Sequence, residues 1–365
     1  MGQGLRKEDS AALKGAAILM MVFHHCFRTA EKFQGYELIF SPFTQDQVVR
    51  LGLLAKICVS IFAFVSGFGL MYGYQKNREK DPPLGDGGWI KRHLISTCSG
   101  FWFLAVVSYV LYGLALRDFR YEKWGNDPVK KAVNILLDMA GLSGLFKTKS
   151  INGAWWYLSA AILFIVILPL LARLLEACGG LASMLLLLAL PRVLGTGYPG
   201  GRNPLSFLPA FLMGMICCRY DLLFRFRTYS PLKNKKAGEW LKGTVLGGAA
   251  LLGALGYAYV DMKSVWEYHY LVVPFLVILF CVGYLFRILP LYRLLQFLGA
   301  HSLNIWLLHT FVRDYMRSLV WSVKYFLLSP LVILAISLAC SLIIEAIKKK
   351  SGYNAWMAGL MKGMK

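Results

Sequence analysis

The chain has 365 residues, 57% of them hydrophobic and only 16% charged, with a formal net charge of +21. An ordinary soluble protein carries about 25% charged residues, so a soluble globular class is excluded. The long apolar runs also exclude a membrane β-barrel, whose strands alternate over short segments. The positive charge would suggest nucleic acid in a soluble protein. Here it gathers in short loops, where the positive-inside rule accounts for much of it, and no nucleic-acid partner is expected.

The pattern predicts an all-α, polytopic transmembrane helical bundle of about ten spans: 11–28, 51–74, 94–116, 154–175, 180–194, 204–219, 243–260, 269–288, 294–312 and 327–347. The fifth and sixth are short and have Pro191, Pro204 and Pro209 nearby. Internal prolines such as Pro169 and Pro274 are tolerated in membrane helices and can kink them. With no internal repeat or separate soluble tract, 1–365 reads as a single integral-membrane domain.

Loop charges set the expected orientation. Lys76, Arg78, Lys80, Lys91 and Arg92 follow the second span, a basic run from Arg219 to Lys242 follows the sixth, and Lys348, Lys349 and Lys350 follow the tenth. All fall on one side of a ten-span chain, which makes that side cytoplasmic and both termini internal. Region 117–152 carries seven Lys/Arg on the other side, together with Asp118, Glu122, Asp127 and Asp138. Its amphipathic stretch VNILLDMAGLSGLF is read as re-entrant or lying on the membrane. Glu176 and Glu345 are expected to pair with Arg173 and with Lys348 or Lys349. The eight cysteines lie in or beside apolar runs, with no spaced loop pair, which argues against a disulfide framework and a Cys-rich zinc site.

The first span, KGAAILMMVFHHCFR over 14–28, holds ionisable residues where they are expensive, and such residues are functional candidates by default. Lys14 and His25 are separated by about 1100° of helix rotation, within about 20° of complete turns, so they share one face about 16 Å apart along the axis. His24 falls about 80° away from Lys14. A neutral imidazole suits general-base work near neutral pH, and a cation at the cytoplasmic mouth suits an anionic donor. The bland alternative is a snorkelling lysine and histidines that bond neighbouring helices.

Further landmarks occur in order: FAFVSGFGLMYGY (62–74), GWIKRHL (88–94), AWWYLSAAILFIVILPLL (154–171), FLPAFLMGMI (207–216) and LGAHSLNIWLLHTF (298–311). With the basic-x10-His pattern of Lys14 and His25, they make nearly the whole chain resemble the integral-membrane acyltransferase family 3. Members of that family O-acylate surface polysaccharides, peptidoglycan, lipopolysaccharide and small molecules. Two departures stand out. Many members have Arg-x-x-Arg at the start of the third span, where Arg92 is here followed three positions on by Ile95, and Lys91 or His93 is left to share that role. Some carry a carboxylate after the Trp-containing motif, where this chain reads Trp156-Tyr157-Leu158-Ser159-Ala160-Ala161.

The resemblance implies an acetyl-CoA-dependent O-acyltransferase in a bacterial cytoplasmic membrane. Its donor is acyl-CoA, its acceptor a hydroxyl of a cell-envelope glycan or related molecule, and its surroundings membrane lipid, with no metal. His25 is the implied catalytic base or acyl carrier, and Lys14, Lys91 and Arg92 the donor-binding cations. His24, His309, Trp156, Tyr157 and Ser66 are accessory candidates. Ser66-Gly67 and Gly69-x-x-x-Gly73 otherwise read as close helix packing, and Trp156 and Tyr157 as an aromatic belt. Acceptor choice is expected in loops 29–50, 117–152 and 195–204. The competing classes are a transporter or flippase for an envelope precursor, which more often shows repeated halves, and a sensor or scaffold that does not need His25.

Overall fold

The computed structural model describes residues 4–115, 127–195, 202–259 and 268–363. Apolar, helix-favouring runs become helices throughout, and among the described residues the only β-pairing is an isolated bridge between Ile39 and Tyr325. The amino-terminal helix α1 (Lys7–Phe27) starts where the Arg6 backbone N–H donates to the Asp9 carboxylate at 3.1 Å. It is the central staff of the bundle. Two thirds of its most apolar stretch is buried, against 22% for α4 (Asp86–Ala115) and for α14 (Leu328–Lys350) on the periphery.

The expected second span is a bent element. The short helix α2 (Gln45–Leu54) meets the end of α1, a 3₁₀ turn carries Lys56, and α3 (Cys58–Arg78) then runs the length of a span. Beyond α4, helix α5 (Pro128–Met139) lies in the connection before α6 (Trp156–Val193). Its outward residues Val129, Val133 and Leu136 are exposed apolar side chains at helical spacing. The fourth and fifth expected spans are two helical stretches of α6 that meet at Gly179, whose φ of 75° breaks the helix. Then come α7 (Leu208–Arg219), α8 (Leu222–Thr228), α9 (Lys235–Tyr259) and α10 (Val273–Gly283). A π-helical turn, Tyr268–Val272, runs directly into α10, so Pro274 stands inside a continuous helical run at the change from π to α geometry, as an internal proline of a membrane helix can. The expected ninth span is divided at His301 into α11 (Leu289–Ala300) and α12 (Ser302–Tyr315). Short α13 (Arg317–Trp321), α14 and the terminal α15 (Tyr353–Lys362) complete the chain.

Among the described residues, six helices are long and apolar enough to cross a membrane, and the pair Pro204–Arg219 and Leu222–Thr228, bent by 67°, makes a seventh if counted as one span. In lipid the hydrophobic effect does not drive helices together, so close backbone approach at small residues matters more. Two reciprocal glycine pairs provide it. A Cβ on Gly15 would strike the Leu295 backbone of α11, and one on Gly299 would strike the Ala11 backbone of α1. Likewise Gly67 of α3 lies against the Phe211 backbone of α7, and Gly214 against that of Phe64. Gly67 thus packs as expected. Gly69 and Gly73 do not: nothing lies within 4 Å of a Cβ built on Gly69, and a Cβ on Gly73 meets only the His93 ring at 3.8 Å.

Ion pairs join the helix ends. Glu176 pairs with Arg78 at 2.5 Å and with Arg219 at 3.5 Å, not with Arg173, which turns to Asp86 instead. Glu345 pairs with Lys348 as expected. At the end of α1 opposite Lys14, residues 29–43 fold back as an aromatic cap in which Phe27, Phe33, Phe40, Trp321 and Phe326 stack edge to face.

Candidate active site

The exposed face of α1 opens into a cavity of about 530 Å³ enclosed with parts of α2, α3, α4, α6 and α12. It follows α1 from Lys14 to its end at Phe27, about 20 Å of helix, and continues to Arg28 and Thr29. The shared face expected of Lys14 and His25 is the face that lines it. His24, Ser66, Trp156 and Tyr157 line it too. Among the described residues, no Asp or Glu lines it.

Lys14 is largely buried in this wall, with no charged or hydrogen-bonding neighbour acting on it among the described residues. A buried ammonium without a counter-ion is costly unless a ligand supplies the charge. Lys91 and Arg92 do not reach the cavity. They stand on α4 four to five residues before Ser96, which does, so they lie about 6–8 Å further along that helix. His93 stacks on Trp89 at 3.9 Å and its Nδ1–H donates to the Trp89 carbonyl at 2.9 Å.

The three histidines form one cluster. The His25 ring lies 5.0 Å from that of His24 and 4.8 Å from that of His309, centre to centre. His24 Nδ1–H donates to the Gly52 carbonyl at 2.7 Å, which leaves its Nε2 as an acceptor. This bond is possible because Gly52 lets the α2 backbone touch that of Phe27, where any Cβ would collide. His309 does not line the cavity. It is fully buried behind His25, and its Nδ1–H donates to the carbonyls of Trp306 at 2.8 Å and Ile305 at 3.2 Å. Its Nε2, buried and without a partner among the described residues, holds the lone pair. Backbone carbonyls thus set the tautomers of His24 and His309, in place of the carboxylate that the sequence lacks. Arg313, held by Asp314, donates from Nη1 to the His25 carbonyl at 3.0 Å and caps the end of α1.

The aromatic candidates form the opposite wall. Tyr157 packs between Phe62 and Trp306, and Trp156 against Phe207. The Tyr157 hydroxyl lies beside that of Ser66 but makes no hydrogen bond of normal geometry. Helix α12 is laced to this wall by Trp306 Nε1–H donating to the Ala154 carbonyl (3.0 Å), Trp155 Nε1–H to the Leu307 carbonyl (3.2 Å) and Thr310 Oγ1–H to Asn152 Oδ1 (2.7 Å).

Sequence reasoning missed three cations at the mouth opposite Lys14: Arg28, Lys56 and Arg202. A signal existed for two of them. Lys56 lies inside the expected second span, and Arg28 closes the first span one turn after His25; each is an ionisable group at a membrane helix. Nothing in the local sequence ties Arg202 to α1.

An apolar helix bundle around a cavity that holds imidazoles and has cations toward both ends defines an integral-membrane protein with a polar site inside its helices. The family model for the acyltransferase domain of acyltransferase family 3 matches residues 10–346, and the chain belongs to that family. It is a membrane acyltransferase. No curated protein and no solved structure matches the chain.

Proposed function

We propose that the chain is an O-acyltransferase that moves an acetyl group from cytoplasmic acetyl-CoA to a hydroxyl of a cell-envelope glycan, in a bacterial cytoplasmic membrane. The observation that carries this reading is the cavity along α1, which joins Lys14 to the histidine cluster and continues to the opposite mouth. The reading takes the ten-span course with both termini cytoplasmic, so the Lys14 mouth faces the donor and the Arg28 mouth the acceptor. Lys14 meets a donor phosphate, with Lys91 and Arg92 as outlying positive charge. The aromatic wall of Trp156, Tyr157 and Trp306 shields the thioester from water.

His25 takes the proton of the acceptor hydroxyl as its oxygen attacks the thioester carbonyl carbon. The carbon–sulfur bond breaks, the thiolate leaves with the electron pair, and the His25 imidazolium returns the proton to it. The products are the acetyl ester and free CoA. His309 is the positioning residue: its buried Nε2 has no partner among the described residues and belongs to the ring 4.8 Å from that of His25, so in the reacting state it can accept from His25 and hold that ring in one tautomer. The unpaired Tyr157 hydroxyl donates to the oxygen that becomes negative in the tetrahedral intermediate. His24, tied to Gly52, keeps the end of α2 on α1 and is not the base.

The test is purified protein in nanodiscs with radiolabelled acetyl-CoA. His25→Ala is expected to insert and bind donor as wild type does while losing hydrolysis and transfer of the label. Wild-type turnover in that variant would overturn the assignment.

A further inference from the structure

A second cavity, of about 530 Å³, adjoins the first and shares Trp156 and Arg202 with it. Its walls come from 143–153, the loop between α5 and α6, and from Arg202 and Asn203. Lys147, Lys149 and Arg202 line it together with Ser143, Thr148 and Ser150, and among the described residues no Asp or Glu does. The Thr148 Oγ1 is buried without a partner among the described residues. Lys147 keeps φ at 53°, a left-handed conformation uncommon for a residue with a Cβ and retained at functional loops.

These features differ from those of the reaction cavity. About half of the residues around the reaction cavity are aromatic or aliphatic, beside its histidines, four cations and five Ser or Thr residues. Among the described residues, the second cavity instead has Trp156 as its one large apolar side chain and is otherwise walled by two glycines and by polar or basic residues. Hydroxyl-rich lining beside a tryptophan face suits a saccharide, and cations without an offsetting acid in the wall suit negative charge on it. Beyond Arg202 the positive wall continues inward to Lys56 and Arg28, toward His25.

We propose that this second cavity is the acceptor groove and that the acceptor is an anionic glycan. Its carboxylate or phosphate groups sit on Lys147, Lys149 and Arg202, and one sugar passes Trp156 with its hydroxyl directed at His25. Carboxylate and phosphodiester share the chemistry that the groove reads. The assignment rests on the acetyl-transfer reading for its direction, while the groove itself can be tested without turnover.

The experiment uses the full chain in phosphatidylcholine nanodiscs and three fluorescent probes: a galacturonate decamer, a glycerol-phosphate decamer and neutral maltodecaose. At least one anionic probe is expected to bind about tenfold or more tightly than maltodecaose, with affinity that falls as salt rises. The double variant Lys147→Gln/Lys149→Gln is expected to lose about tenfold in anionic-probe affinity while acetyl-CoA binding is kept. The ratio between the two anionic probes separates a uronate from a phosphodiester acceptor. Equal binding of neutral and anionic probes, or wild-type affinity in the double variant, overturns the proposal. So does loss of anionic-probe binding in phosphatidylglycerol nanodiscs when phosphatidylserine nanodiscs of equal surface charge preserve it, since the groove would then be a lipid-headgroup site. Absence of acetyl-CoA binding with normal glycan binding defeats the acetyl-transfer reading and leaves the groove standing.

Discussion

The rings of His25 and His309 lie 4.8 Å apart at 57°, joining α1 to α12 across 284 residues of sequence. Because His309 Nδ1–H is committed to the Trp306 carbonyl, only its Nε2 lone pair can serve His25. His309→Leu removes that acceptor. It is expected to lower kcat by about a hundredfold, the low end of what a positioned base supplies, with little change in the KM for acetyl-CoA. His309→Gln, which keeps a side-chain acceptor, is expected to recover part of the loss. Equal drops in both variants, with a raised KM, would mark His309 as packing alone.

Tyr157 gives a second prediction. Tyr157 lines the reaction cavity, and its hydroxyl is buried and lacks a normal hydrogen bond, which is an unfavourable resting state unless a reaction intermediate uses the donor. Tyr157→Phe keeps the ring contacts with Phe62 and Trp306. It is expected to reduce kcat by about a hundredfold with thermal stability unchanged or raised. Steady-state rates together with a melting curve separate this outcome from a folding defect.

How much was legible in the sequence follows from the range over which each signal acts. The Lys14–His25 stripe is a local helical period, and it does line the cavity. The value of Gly67 was readable because small residues mark helix contacts, but the same logic failed at Gly69 and Gly73, since spacing does not say which face of α3 meets α7. Lys56 was visible as a charge inside an expected span and was passed over in favour of the first helix. The contacts of His309 with His25 and of Arg202 with the mouth depend on how distant helices pack, and no periodicity encodes them. The split of the expected ninth span at His301 has no proline to announce it.

The glycine contacts make a stability prediction. At Gly67 and Gly214 a Cβ would overlap backbone atoms, which cannot rotate away as a side chain can. Gly67→Ala and Gly214→Ala are each expected to destabilise the protein by about 1–3 kcal/mol or more, the usual cost of overpacking. Gly69→Ala, in open space, is expected to stay within about 0.5 kcal/mol of wild type. Tryptophan-fluorescence melts of the three variants in one detergent decide this, and equal melting points would refute the packing assignment.

Lys14 and the α4 cations are separated by geometry. Lys14 lies inside the cavity, and Lys91 and Arg92 lie outside it. Lys14→Met is therefore expected to raise the KM for acetyl-CoA by about tenfold or more, as losing a hydrogen bond to a charged group does. Arg92→Gln should change it by about threefold or less, because a half-buried charge outside the cavity acts on the donor at a distance and through screening solvent. The reverse order would move the donor site from the α1 face to the head of α4.

Asp138 ties down the loop that lines the second cavity. It is fully buried, and its Oδ2 accepts from the Tyr109 hydroxyl at 2.8 Å and from the Ile151 N–H at 2.9 Å, which ties the end of α5 to the loop before α6. Burial raises its carboxyl above the usual carboxylate value, and the surrounding hydrogen bonds offset only part of that. A folded-state pKa above the unfolded one means that folding takes up a proton. The added stability is present at low pH and fades as pH rises through the raised value. Hydrogen exchange over 140–153, corrected for intrinsic rate, is accordingly expected to slow on moving from neutral toward mildly acidic pH. In Asp138→Asn, a neutral side chain of the same shape, that pH dependence should vanish while protection persists. Asp138→Ala removes the acceptor for Ile151 N–H and should raise exchange across the loop and weaken anionic-glycan binding, with acetyl-CoA binding retained. Unchanged exchange in the alanine variant would show that the loop is held by its contacts with α6 instead.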